Sequence, residues 1–142
     1  MSKKALQPPR LQLVGEVIST YTRAQPLEDG VLIDAGALAQ EAGYRWPVAL
    51  TTAAWEDCVA WSEADNARQV HQDEAGRLWD VLFLGVHALR TRVGDGAWLQ
   101  YSLYRIPRDR HSKQAKLTSL KMMVGPGDDG EPVITVLLRN ED

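Results

Sequence analysis

Helical patterns fill the first two thirds of this chain and strand patterns the last third. That segregation predicts an α+β fold, with N-terminal helices packed on a C-terminal antiparallel sheet. Three observations carry the prediction. Residues 73–92 set Leu78, Trp79, Leu82, Phe83, Val86 and Leu89 at helical spacing. From Trp98 onward the apolar residues alternate instead, with Leu99, Tyr101 and Leu103 on one face of a strand and Trp98, Gln100, Ser102, Tyr104 and Ile106 on the other. Dense turn signals, VGDGA and GPGDDGEP, punctuate the same region. The sheet is read as a meander of about three strands, with a fourth short edge strand at Val31 to Ile33.

Taken in order, residues 1–10 are rich in Lys, Pro and Gln and are expected to be frayed. Leu11, Leu13, Val17 and Ile18 fit either a short strand or an apolar lead-in. Thr22 with Gln25 three residues on resembles a capping box, and Gly30 suits a helix end, so a two-turn helix is expected over 22–29. Pro26 falls near its first turn, where a missing N–H matters little. Asp34 is placed as the cap of a helix over 35–42 that Gly43 closes. Pro47 interrupts, and Thr51 or Thr52 caps a helix over 52–63 with Trp55, Cys58 and Val59 on its apolar side. The helix over 73–92 begins with Asp73 and Glu74 and ends with Arg90 and Arg92, both of which suit its dipole. Strands are expected at 98–106, 116–124 and 132–139. The predicted core comprises Trp55, Trp79, Leu82, Phe83, Val86, Leu103, Ile134 and Val136.

A chain of 142 residues fits one domain, 1–142. Its longest uninterrupted apolar run, Val81 to Val86 apart from Gly85, is far below the ~20 residues a membrane span needs, so no membrane partner is expected. The charged, proline-bearing start does not read as a signal peptide, and one cysteine makes no internal disulfide. These features point to the cytoplasm.

Net charge is −3, but it is uneven. Residues 90–124 hold eight Lys/Arg against Asp95 and Asp109, a local +6. Such a stretch can attract phosphates in an acidic protein, because screening makes charge local over ~8–10 Å. It can equally solvate a loop and pair with acidic neighbours. Trp98 and Tyr104 on one strand face, beside Arg108, Arg110 and Lys113 in the following loop, form the candidate binding surface. A protein partner is favoured there, with nucleic acid a second option through residues 90–121.

The other chemical candidates are sparse. His71, Asp73 and Glu74 could make an acid–base cluster at a helix entry, or simply a solvated one. Tyr21, Arg23, Glu28 and Asp29 gather polar groups around the first short helix. There Arg23 could hold an anion, but bracing by Glu28 or Asp29 is the favoured reading. His71, His87 and His111 lack metal-ligand spacing with one another or with Cys58, so no metal is expected, and no motif implies a cofactor. Cys58, between an apolar face and acidic Glu56 and Asp57, reads as buried and inert. The three carboxylates of GPGDDGEP read as a solvated turn rather than a calcium loop.

The stretches VISTYTRAQPLEDGVLID, WPVALTTAAWEDCVAW, QDEAGRLWDVL and GPGDDGEPVITVLL resemble an uncharacterised family of small bacterial proteins. That family is often carried on plasmids and other mobile elements, and the likeness runs from about Val17 to Leu138. Members often have Ala at the position of Pro26 and Phe at that of Trp46. The resemblance implies an accessory-genome origin and a bacterial cytoplasm, and it brings no catalytic residue. Three functions follow in order of preference. The first is a non-enzymatic binding module. The second is a host-defence antagonist, anti-restriction or anti-CRISPR in type, acting by protein binding. The third is a small enzyme built on the His/carboxylate cluster or on Arg23 with Glu28.

Overall fold

A computed structural model of the chain describes residues 23–92, 94 and 96–141. Residues 1–10, expected to be frayed, the strand or lead-in expected at Leu11 to Ile18, Tyr21 and the expected cap Thr22 lie outside the described residues. Within them the order is α1 (Ala24–Glu28), β1 (Leu32–Asp34), α2 (Ala37–Ala42), β2 (Val48–Thr51), α3 (Thr52–Cys58), α4 (Glu63–Arg68), α5 (Glu74–Thr91), β3 (Trp98–Arg105), β4 (Lys116–Pro126) and β5 (Pro132–Leu138).

The protein is α+β, but the expected meander is only part of its sheet. β3, β4 and β5 pair antiparallel in chain order. β5 then pairs parallel with β2, and β2 antiparallel with β1, giving a five-stranded mixed sheet in the order β1-β2-β5-β4-β3. Among the described residues β1 takes the edge position expected of it. β2 is the strand the sequence reading missed. Four residues after Pro47 carry too little alternation to read, and their strand character comes from distant partners: Val48 lies opposite Ile134, and the Ile134 N–H donates to the Pro47 carbonyl at 2.9 Å.

Local chemistry explains the other shifted boundaries. Asp34 does not cap α2. Its carboxylate accepts the Gly36 N–H at 2.8 Å in a turn, Gly36 takes φ 67°, and the helix starts at Ala37. α3 opens as expected, with the Thr51 hydroxyl accepting the Ala54 N–H, but it ends at Cys58 rather than running to 63. The Ala60 N–H reaches back to the Trp55 carbonyl at 2.8 Å, and Val59, Ala60 and Trp61 turn inward and are buried. Ser62 and Asp65 then form a capping box that starts α4, a helix not foreseen. α1 forms with Pro26 buried in its first turn, where a backbone N–H would have no intrahelical partner and its absence costs little. α5 matches its expected span to within a residue at each end, capped by Asp73 on the Gly76 N–H at 2.6 Å.

α5 packs Leu78, Val81, Leu82 and Val86 against Tyr101, Leu103, Leu120, Met122, Ile134 and Val136. Leu82, Val86, Leu103, Ile134 and Val136 are core, as expected. Phe83 is not: it is 52% exposed, because the buried stripe centres on Leu78, Leu82 and Gly85 and leaves Phe83 on the flank. There it stacks on Trp79 at 5.9 Å. Trp55 and Trp79 are partly buried at the core's rim.

Candidate binding surface

β3 alternates as its sequence implies, with Tyr101 and Leu103 buried and Trp98, Gln100, Ser102 and Tyr104 exposed. The register with β4 places Trp98 opposite Met123 and Tyr104 opposite Leu117. All four side chains are exposed, at 58%, 40%, 68% and 59% in that order. Between the two apolar pairs lie Gln100 opposite Lys121, and Ser102 opposite Ser119 with their hydroxyls 3.0 Å apart. The Val124 N–H donates to the Ala97 carbonyl at 2.7 Å, which sets the phase of the ladder. Ala97, Leu99, Tyr101, Leu103 and Arg105 therefore turn their amides toward β4. The outward-facing pairs are non-hydrogen-bonded ones, in which side chains approach most closely.

The loop after β3 is held by the helices. Gln69, buried on the exit of α4, donates from Nε2 to the carbonyls of Pro107 and Ser112 at 2.8 and 2.7 Å, and its Oε1 accepts the Arg110 N–H at 3.1 Å. That clamp holds Arg110 in the left-handed region, at φ 78°. The Ser112 hydroxyl and the N–H groups of Ser112 and His111 converge on Asp109 and hold its carboxyl well below the usual range. Arg105 pairs with Asp57 at 2.8 Å, and Arg108 with Asp65 at 2.7 Å and Glu56 at 3.4 Å. Burial works against ionisation of Asp65, yet Arg108 and Ser62 prevail and lower its pKa.

Trp98 and Tyr104 thus share one face, while Arg108 is engaged with α3 and α4. Arg110 and Lys113 are exposed and have no acidic partner among the described residues. Gln69 was not among the sequence candidates, since no local pattern marks a glutamine that closes a loop some forty positions away.

The alternative polar residues do not converge. His71, Asp73 and Glu74 are exposed at the start of α5, near the Arg105 end of β3. Arg23 lies toward the opposite end of the strands, and its guanidinium donates to Thr135 Oγ1 at 2.8 Å and to the Ile134 carbonyl at 2.6 Å. Neither Glu28 nor Asp29 braces it among the described contacts, because Asp29 accepts from Gln25 instead, at 3.0 Å. Arg23 lines a groove of about 510 Å³ with Val31, Leu32, Thr51, Val133 and Glu141. Asp128, expected as a solvated turn acid, accepts the N–H groups of Arg23 and Ala24 and so caps α1 from the β4–β5 turn. Among the described residues no three His, Cys, Asp or Glu side chains gather in a way that could hold a metal ion, and no helix is long and apolar enough to cross a membrane.

Cys58 is 1% exposed, and burial, aided by Asp57, pushes its thiol up to about 11. A thiol reagent at pH 8 should label it slowly in the folded protein and rapidly in denaturant, and fast native labelling would contradict its burial.

A family model covers residues 12–142 and is described as a family of unknown function, DUF6573. The chain belongs to that family. No curated protein and no solved structure matches it. Membership in DUF6573 transfers no activity. Within this chain the Arg23 and Asp128 contacts bind the stretches RAQPLEDG and GPGDDGEPVIT together in three dimensions.

Proposed function

We propose that this DUF6573 protein is a non-enzymatic binding module that recognises a protein partner through the outer face of β3 and β4. One observation carries the reading: two apolar cross-strand pairs, Trp98 with Met123 and Tyr104 with Leu117, stand exposed on one continuous sheet surface. Exposed aromatics and Met are residue types enriched where proteins meet. The electrostatics favour protein over nucleic acid. Arg105 and Arg108 are paired with carboxylates, the Lys121 ammonium donates to the Glu141 carbonyl at 2.6 Å, and the loop carrying Arg110 and Lys113 is tied to the exit of α4 through Gln69, so the sheet face itself offers little free cationic charge to a phosphate backbone. We place the protein in the cytoplasm, and a mobile-element setting would make a host-defence complex the target to examine first.

The test is capture from bacterial lysate on immobilised protein, comparing wild type with Trp98→Ala and Tyr104→Ala. Each variant should keep its melting temperature and weaken the captured partner by about 2 kcal/mol or more, roughly thirtyfold. Capture unaffected by both substitutions would remove this face from the function. Binding of single-stranded DNA or RNA at ~50 mM salt, weakening steeply as salt rises, would favour the nucleic-acid reading instead.

A further inference from the structure

We infer that the outer edge of β3 pairs with the same edge of a second copy of this chain, across a two-fold axis at Tyr101, to join the two sheets into one. Among the described residues β3 is the terminal strand of the sheet. The ladder phase gives the amides of Ala97, Leu99, Tyr101, Leu103 and Arg105 to β4, so those of Trp98, Gln100, Ser102 and Tyr104 point outward from the edge. Edge strands are normally blunted by charge, proline or a bulge. Here eight residues run without a bulge in register with β4, and from Trp98 to Tyr104 there is no charged residue and no proline.

Only registers that place outward-amide residues opposite one another satisfy both edges. The one centred on Tyr101 uses all four such residues, setting Trp98 opposite Tyr104 and Gln100 opposite Ser102 of the other copy. Registers centred one residue away leave either Trp98 or Tyr104 unpaired. The favoured register therefore makes two aromatic cross-strand pairs from side chains that are 58% and 68% exposed in the single chain. Charge agrees with it. Arg105 falls opposite Ala97, so the two Arg105 side chains sit about eight residues apart, roughly 27 Å at strand rise, beyond the ~8–10 Å screening length. On the helix side, Asp80 lines a small cavity with Leu103, Tyr104 and Arg105, which places the flank of α5 bearing Asp80 and Leu84 toward this edge. Leu84, 36% exposed, gains cover near the axis.

This inference goes beyond the binding reading, which needs only the sheet face. It is tested on the full chain by sedimentation equilibrium and by cross-linking. Wild type should sediment at twice 15.8 kDa. Ser102→Pro removes an outward N–H without touching the β4 ladder and should shift the protein to monomer with its far-UV spectrum intact. Gln100→Lys, which sets a lysine into each edge, should do the same if the proline variant misfolds. Gln100→Cys with Ser102→Cys should give an intermolecular disulfide on oxidation, whereas Gln100→Cys alone should not, since Gln100 meets itself only in another register. A wild-type monomer, or a dimer that persists in folded Ser102→Pro and Gln100→Lys, overturns the inference. If that monomer still captures a partner in a Trp98-dependent way, the sheet-face reading stands by itself.

Discussion

Arg77→Ala is expected to lower folding stability by about 3–5 kcal/mol, a large share of the ~5–15 kcal/mol typical of a domain. The Arg77 side chain enters the core from the first turns of α5 and is 4% exposed. Its Nε donates to the Val59 carbonyl at 3.1 Å, Nη1 to Ile106 O at 2.9 Å and Gln72 Oε1 at 2.7 Å, and Nη2 to Asp57 O at 3.3 Å. The guanidinium also lies 4.6 Å from the centre of the Trp61 ring. One side chain thus satisfies three backbone carbonyls where α3 ends, α4 has yet to begin and β3 runs out. Removing it strands those carbonyls in a low-dielectric interior, at about 1–3 kcal/mol each before relaxation, and leaves Trp61 over a void. Arg77→Lys keeps the charge but not the planar fork, so it should recover only a minor part. Arg77→Met keeps the apolar stem and should fall between the two. Urea unfolding followed by Trp fluorescence measures all three, with a changed midpoint at constant slope as the signature. A loss below ~1 kcal/mol for Arg77→Ala would show that water replaces the guanidinium.

Arg77 also marks where the sequence stops being legible. Its position inside the apolar stripe of α5 reads as an ordinary helical cation, since nothing nearby in the chain announces the carbonyls it meets. What could be read rests on local chemistry. The period of Leu78, Leu82 and Val86, the alternation of Leu99, Tyr101 and Leu103, and the Gly43 helix stop each depend on a few neighbouring residues, and each holds. What could not be read is set at long range. β2 becomes a strand because β1 and β5 flank it, and the basic loop is ordered because Gln69 and Asp65 reach across to it. Ser62 with Asp65 is the exception, a local signal present in SEAD, but the apolar residues Trp55, Cys58, Val59 and Trp61 make a longer helix look continuous through it. The candidate surface divides in the same way. Strand alternation already places Trp98 and Tyr104 on one side, whereas their pairing with Met123 and Leu117 depends on a register that only the folded sheet supplies.

Gly85→Val should be the most damaging conservative-sized change on the sheet side of α5, with a loss of about 3 kcal/mol or more. α5 crosses the sheet at Gly85, where a Cβ would lie 2.5 Å from the Tyr44 hydroxyl, 2.9 Å from Met122 Cε and 3.0 Å from the Tyr101 hydroxyl. Neither hydroxyl can simply swing aside. Tyr44 donates to the Leu82 carbonyl at 2.8 Å and Tyr101 to the Val81 carbonyl at 3.0 Å, and both are buried deeply enough that their pKa values are pushed upward by desolvation. Met122 can shift its terminal methyl, so the tyrosines decide the outcome. For Gly85→Ala, helix propensity returns about 1 kcal/mol and overpacking removes about 1–3, so a net loss of about 0–2 kcal/mol is expected. Tyr44→Phe alone should cost about 1 kcal/mol for its hydrogen bond. The two changes together should cost less than their sum, because deleting the Tyr44 hydroxyl makes room for the new methyl. Strict additivity in that cycle, measured by urea unfolding, would mean that the helix moves off the sheet as a body instead of pressing on Tyr44. The contact would then be a soft one, and Gly85 would owe its place to something other than this close approach.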